Sequence, residues 1–127
     1  MENEIGEYGR TNFGRIIDKF AFLTNQNGEI KTNKVILIKD NKLTRDFYYF
    51  EKGEYMLKHS PNLIDIIEEG DYVNGEIVIK IFNPRFLSFG ELPYIITANY
   101  NNKYEPQEIE EIVTKERFES VSYKVGE

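Results

Sequence analysis

Lys58-His59-Ser60-Pro61-Asn62-Leu63-Ile64-Asp65-Ile66-Ile67-Glu68-Glu69-Gly70-Asp71-Tyr72-Val73-Asn74-Gly75, continuing from Glu76 to Phe82, is the stretch whose reading decides the fold. Ser60 is a good N-cap, because its hydroxyl can accept from an otherwise orphan amide of a first helical turn. Pro61 stands at the first helical position, where a missing N–H costs nothing. Leu63, Ile64, Ile66 and Ile67 fall at i, i+1, i+3 and i+4, one wide apolar face. Gly70 is positioned to close the helix in a left-handed conformation. The expected helix is about two turns long, too short to hold without packing on something else. The strands that follow supply that support. Asn74-Gly75 is a strong hairpin signal, since both central positions of a type I′ turn need positive φ. Beyond it Ile77, Ile79 and Ile81 alternate with Val78, Lys80 and Phe82, the period of a strand. Val78 and Phe82 make the second face partly apolar as well, which predicts a central strand.

Working outward, the same signals recur. Residues 7–10 read as a first short strand and residues 11–14 as a turn. Residues 15–23 read as a strand with Ile16, Phe20 and Phe22 on one face and Ile17 and Ala21 on the other. Asn27-Gly28 ends a loop and is a second hairpin signal. Strands are expected at 35–38 and 46–51, with turns at 40–42 and 52–53, and residues 55–58 pair briefly. After Phe82, residues 83–93 carry two prolines and Gly90, a connection long enough to suggest a functional loop. Residues 94–99 read as a strand and 101–103 as a turn, and Pro106 breaks the chain. Within 108–113 a short strand is preferred to a helix, followed by a helical turn at 115–119 capped by Thr114 and a last strand at 122–125. Many short strands with turns at near-regular spacing predict a mainly β chain (α+β by count). The expected form is a small antiparallel β-barrel or sandwich, SH3-like barrels included, with one or two short helices. At 127 residues a single domain spanning 1–127 is expected, large enough to bury a core without staples.

Composition narrows the function classes. With no cysteine there is no disulfide, thiol chemistry or zinc–thiolate site. The acidic, polar opening Met1-Glu2-Asn3-Glu4 is unlike a signal peptide, and no apolar run approaches the ~18 residues of a membrane span. A cytoplasmic protein is expected. Net charge is −6, unevenly placed. Residues 1–60 hold 10 Lys+Arg against 9 Asp+Glu, a net of +1, and residues 61–127 hold 6 against 13, a net of −7. Such a chain is a poor general nucleic-acid binder, because phosphate contacts need cationic charge.

Several constellations have both a chemical and a structural reading. His59, the only histidine, needs an orienting carboxylate to act as a general base, and otherwise precedes the helix on the surface. Glu68, Glu69 and Asp71 match no calcium loop and fit a solvated turn. Phe47, Tyr48, Tyr49 and Phe50 invite comparison with base-stacking platforms, but Arg45, Asp46, Glu51 and Lys52 around them balance in charge, which favours a core strand. Glu105, Glu108, Glu110 and Glu111, extended by Glu116 and Glu119, form an acidic tract suited to a basic groove on a partner, or else a charged edge that resists strand pairing. Phe86, Leu87, Phe89 and Leu92 in the irregular loop are either a core lid or an apolar binding patch. Phosphate-binding glycine loops, nucleophile elbows and paired catalytic motifs are absent. No cofactor or metal is implied and no catalytic residue is assigned.

Three segments together carry a resemblance. The stretch from Lys58 to Gly75, the ending Ile112-Val113-Thr114-Lys115-Glu116-Arg117-Phe118-Glu119-Ser120-Val121-Ser122-Tyr123-Lys124-Val125, and the opening from Glu7 to Ile16 resemble small uncharacterised proteins of phages and prophages of low-GC Gram-positive bacteria. Those proteins carry no catalytic residues to transfer. The resemblance implies an accessory protein that binds a host protein or ribonucleoprotein complex, acting as an anti-CRISPR-like inhibitor of a host defence component. Phe86, Phe89, Glu105, Glu108, Glu110 and Glu111 are the expected partner-binding residues. The alternatives are a nucleic-acid-binding small barrel, using Arg10, Arg15, Lys19, Lys31 and Lys34, and a structural or accessory protein of the virion.

Overall fold

A computed structural model describes residues 6–84 and 92–117. Among the described residues the chain forms β1 (Glu7–Thr11), β2 (Ile16–Thr24), β3 (Ile30–Lys39), β4 (Lys42–Tyr49), β5 (Met56–Ser60), β6 (Tyr72–Val73), β7 (Glu76–Phe82), β8 (Tyr94–Thr97), β9 (Lys103–Tyr104) and β10 (Ile112–Val113). Two short 3-10 helices, Leu63–Ile66 and Pro106–Glu108, interrupt them. The chain is mainly β, as expected from its turn-punctuated apolar runs. It divides into two compact units, Met1–Asn62 and Leu63–Glu127, and the division falls inside the stretch quoted at the outset.

The first unit is one antiparallel sheet in the order β4-β3-β2-β1-β5. Its turns follow local chemistry. Lys39 pairs with Lys42 across Asp40-Asn41, both with positive φ, as a two-residue hairpin requires. In the β2–β3 loop the Asn25 side-chain oxygen accepts from the amides of Asn27 and Glu29, and Gly28 takes φ +80°. The core holds Ile17, Phe20 and Val35, packed by Phe22, Leu37, Tyr48, Phe50 and Met56. Each such apolar burial contributes about 1.5–3 kcal/mol. The faces of β2 differ from strict alternation. Ile17, rather than Ile16, shares the core with Phe20, three positions on. An extra residue makes this so: Glu7 pairs with Phe20 but Gly9 pairs with Ile17, and Lys19 inside the step has φ +52°.

The second unit is a sheet in the order β10-β6-β7-β8-β9, with β7 central as expected. Asn74 and Gly75 have φ +51° and +82°, so the hairpin is of the form its sequence requires. The core is Ile64, Ile67, Val73, Val78 and Ile95, with Leu63, Ile81, Tyr104, Ile109 and Ile112 packed against it. A bulge between Val78 and Lys80 lets Val78 and Ile81 both meet this core, while Ile77 and Ile79 stay exposed.

The expected two-turn α-helix is instead a single 3-10 turn, Leu63–Ile66. The reason lies in competing partners for its amides. An α-helix would direct the Glu68 amide to Ile64 and the Gly70 amide to Ile66. The Asp71 carboxylate captures the first at 2.8 Å and the Val78 carbonyl captures the second at 2.9 Å. Ser60 ends β5, and its hydroxyl accepts from Asn62 in a local turn rather than capping a helix. Gly70 does take the left-handed conformation, at φ +95°.

Candidate functional site

In the second unit, Asn74 organises the acidic tract as well as its own turn. Its side-chain nitrogen donates to the Glu108 carbonyl at 3.0 Å, and its side-chain oxygen accepts from the amides of Glu110 and Glu111 at 2.8 and 3.0 Å. Its own amide donates to the Glu111 carbonyl at 2.9 Å. An amide side chain supplies this donor and this acceptor from separate atoms, so both bonds form at once. Residues 108–111 are thereby strapped by their backbone to the β6–β7 turn. The Glu105 amide donates to the Glu108 carboxylate at 2.9 Å, and Pro106 opens the 3-10 turn between them. Ile109 and Ile112 turn toward the core, so Glu108, Glu110 and Glu111 face outward and are exposed. Among the described residues, no cation pairs with Glu105, Glu108, Glu110 or Glu111. The preferred strand reading of 108–113 holds at β10, and the Thr114 hydroxyl accepts from the Arg117 amide at 3.3 Å, capping the helical turn that begins at Lys115. Phe86, Leu87, Phe89, Glu119 and the expected strand at 122–125 lie outside the described residues, whereas Leu92 is exposed.

A second carboxylate braces the same region. Glu76, the first residue of β7, accepts from the Thr97 hydroxyl at 2.7 Å, from the Asn102 amide group at 3.0 Å and from the Tyr104 hydroxyl. The Tyr104 bond, then those of Thr97 and Asn102, hold its carboxyl below the usual carboxylate range. The same bond raises the Tyr104 phenol. Because β7 and β8 are antiparallel neighbours, the Asn74-Gly75 turn and the β8–β9 turn lie at one end of the sheet. The acidic segment is tied to that end through Asn74.

The Glu68, Glu69 and Asp71 cluster is a turn brace. Asp71 is fully buried, and its carboxylate accepts from the amides of Glu68 and Lys115 at 2.8 and 3.0 Å. Glu68 pairs with the Lys115 ammonium at 2.8 Å. Among the described residues, no group of three or more His, Cys, Asp or Glu is arranged to hold a metal ion.

In the first unit, Glu54 is the most committed carboxylate. Its side chain is 0% exposed and accepts from the Thr11 hydroxyl at 2.7 Å, the Tyr48 hydroxyl at 2.9 Å, the Glu51 amide at 3.0 Å and the Arg15 guanidinium at 3.3 Å. Burial pushes its pKa up, but the Glu51, Thr11, Tyr48 and Arg15 interactions outweigh it, so the carboxyl sits below its ordinary value. Of the five cations considered for nucleic acid, Arg10 is fully buried and Arg15 is paired with Glu51 at 2.9 Å as well as with Glu54. Lys19 stands 4.4 Å over the Tyr8 ring and Lys34 4.5 Å over Phe47. Lys31 is exposed. The 47–50 aromatic run splits by strand alternation: Tyr48 and Phe50 pack in the core, while Phe47 and Tyr49 lie on the other face, with Tyr49 62% exposed. His59 does find a carboxylate, Glu7 at 2.9 Å from Nδ1, and its ring packs edge-on against Phe22 at 4.8 Å. The pair joins neighbouring strands β1 and β5.

No family model, curated protein or solved structure matches this chain. The functional reading therefore rests on the surface itself. Sequence reasoning found the acidic tract from composition. It missed the roles of Asn74, Glu76 and Glu54, each of which has partners 21 to 43 residues away. Among the described residues, no helix is long and apolar enough to cross a membrane.

Proposed function

We propose that this chain is a non-enzymatic binding protein of phage or prophage origin. It acts in the cytoplasm of the bacterial host, where it inhibits a defence component by occupying a protein surface, in the manner of an anti-CRISPR protein. One observation carries the reading: the backbone of 108–111 is fixed by Asn74 while the carboxylates of Glu108, Glu110 and Glu111 face outward. A charged surface held in one geometry loses little conformational freedom on binding, and carboxylates in such an array steer association with a cationic partner. The resemblance of the opening, middle and ending of the chain to phage and prophage proteins supports the setting. The nucleic-acid alternative is weakened by the burial of Arg10 and the pairing of Arg15.

The test is charge reversal. Glu108→Lys, Glu110→Lys and Glu111→Lys introduced together should abolish capture of the host partner, and the affinity of the unaltered chain should fall steeply as salt is raised. Unchanged affinity in the triple variant would remove the tract from the mechanism.

A further inference from the structure

Among the described residues, three two-residue turns have positive φ at both central positions: Asp40-Asn41, Asn74-Gly75 and Tyr100-Asn101. The first two use residues that tolerate the left-handed region. The third places a tyrosine there, at φ +58°. A bulky L-residue in this conformation is strained by contact between its Cβ and the backbone, and glycine would relieve the strain. Such strain persists only where the surroundings over-determine it, and it clusters where residues bind or switch.

The surroundings here do over-determine it. The Asn102 amide closes the turn on the Asn99 carbonyl at 3.1 Å, and the Thr97 amide donates to the Asn102 carbonyl at 2.9 Å. Beneath the tip, the Glu76 carboxylate accepts from the side chains of Thr97, Asn102 and Tyr104. The turn is thus tied through Asn102 to that carboxylate, and the Tyr100 side chain at its tip stands out, 93% exposed. Tyrosine offers a large rigid surface with two side-chain torsions to fix, which is why it is enriched at binding hot spots. This tip also lies at the end of the sheet that carries the acidic segment. Those carboxylates disfavour a nucleic-acid phosphate and suit a cationic protein surface.

We infer that Tyr100 is the anchor of the interface, inserting into an apolar pocket of a partner protein whose rim carries lysine or arginine. The inference rests on the protein-binding reading above and names the residue and the pocket chemistry it requires. The test uses the protein that the full wild-type chain captures from its bacterial host, identified, purified and titrated by calorimetry against wild type, Tyr100→Ala, Tyr100→Gly and the triple charge reversal. Tyr100→Ala and Tyr100→Gly should each weaken binding at least about 30-fold. Tyr100→Gly should at the same time raise the midpoint of thermal unfolding by about 3 °C, because strain is released. A merely structural tyrosine would not combine a gain in stability with a loss of affinity. If charge reversal weakens binding while both Tyr100 variants stay within about threefold of wild type, the anchor is refuted and the protein-binding reading stands. If the wild-type chain captures no partner, both fall. A lowered unfolding midpoint for Tyr100→Gly would overturn the strain argument.

Discussion

Replacing Asn74 with glycine separates the two tasks of that residue. Glycine accepts positive φ without steric cost, so the β6–β7 hairpin should persist. The three side-chain bonds to residues 108–111 vanish, and the bond from the residue 74 amide to the Glu111 carbonyl stays. Each lost bond contributes about 0.5–1.5 kcal/mol net, and an exposed setting favours the lower half of that range. Opening of the segment should become easier by about 1.5–3 kcal/mol, which corresponds to a rise of roughly 10- to 140-fold in amide exchange. Residue-resolved hydrogen exchange reads this directly at Glu110 and Glu111, whose amides donate to Asn74. The Val78 amide, bonded to the Asp71 carbonyl at 2.7 Å, is the internal control. Faster exchange confined to the segment supports the strap. Equal acceleration at Val78 would mean global destabilisation, and unchanged exchange at Glu110 and Glu111 would mean that core packing by Ile109 and Ile112 suffices. Either result refutes the argument that Asn74 holds the acidic surface in place.

Other perturbations address the frame around the site. Glu54→Gln keeps the shape but removes an acceptor and a charge from a buried set of four donors, and should cost about 2 kcal/mol in urea unfolding near neutral pH. The folded carboxyl is depressed below 4.5, so its contribution is present above the unfolded pKa and is lost as pH falls through the folded one. The gap between wild type and variant should therefore narrow below about pH 4.5; a gap that stays constant into stronger acid contradicts the charge argument. At Gly9 a Cβ would stand 2.6 Å from the Met56 sulfur and 2.8 Å from the Phe20 ring. Gly9→Ala should cost about 1–3 kcal/mol by overpacking, with part recovered in Gly9→Ala combined with Met56→Ala. Strict additivity in that cycle would show that the two sites do not touch. Val78→Ala should cost roughly 2 kcal/mol, and Ile79→Ala should stay within about 0.5 kcal/mol; equal costs by thermal unfolding would contradict the burial of Val78 and the exposure of Ile79.

Where a rule involves only neighbouring residues, the chain was legible. Asn74-Gly75 and Gly70 adopt the backbone that their residue types favour, and β7 is central as its two apolar faces imply. The reading failed where a distant partner intervened. The helix after Ser60 shrank because the Asp71 side chain and the Val78 carbonyl compete for its amides. Ile17 displaced Ile16 from the core because of an extra residue whose type, lysine, gives no sign of a bulge. The acidic tract was visible as composition, yet what holds it was not, because the amide of Asn74 already had a sufficient local reason to be there. Glu76 looked like one polar residue at a strand start, and its three partners become neighbours only once β7, β8 and β9 are assembled. The 47–50 aromatics read as core, and only Tyr48 and Phe50 are, since alternation alone does not reveal which face will be covered.

The extra residue in β2 also bears on how this protein can change in length. Strip out Lys19 and the pairs Glu7 with Phe20 and Gly9 with Ile17 become a regular ladder, with Ile17, Phe20 and Phe22 still on one side. Strip out Ala21 instead and Phe22 moves to the opposite side from Phe20. A shortened chain lacking Lys19 should therefore still fold, with a straighter strand and without the contact to Tyr8, whereas one lacking Ala21 should not. Circular dichroism of the two deletions distinguishes them. The bulge marks a point in the first unit where evolution can add or remove a residue without rewriting the core.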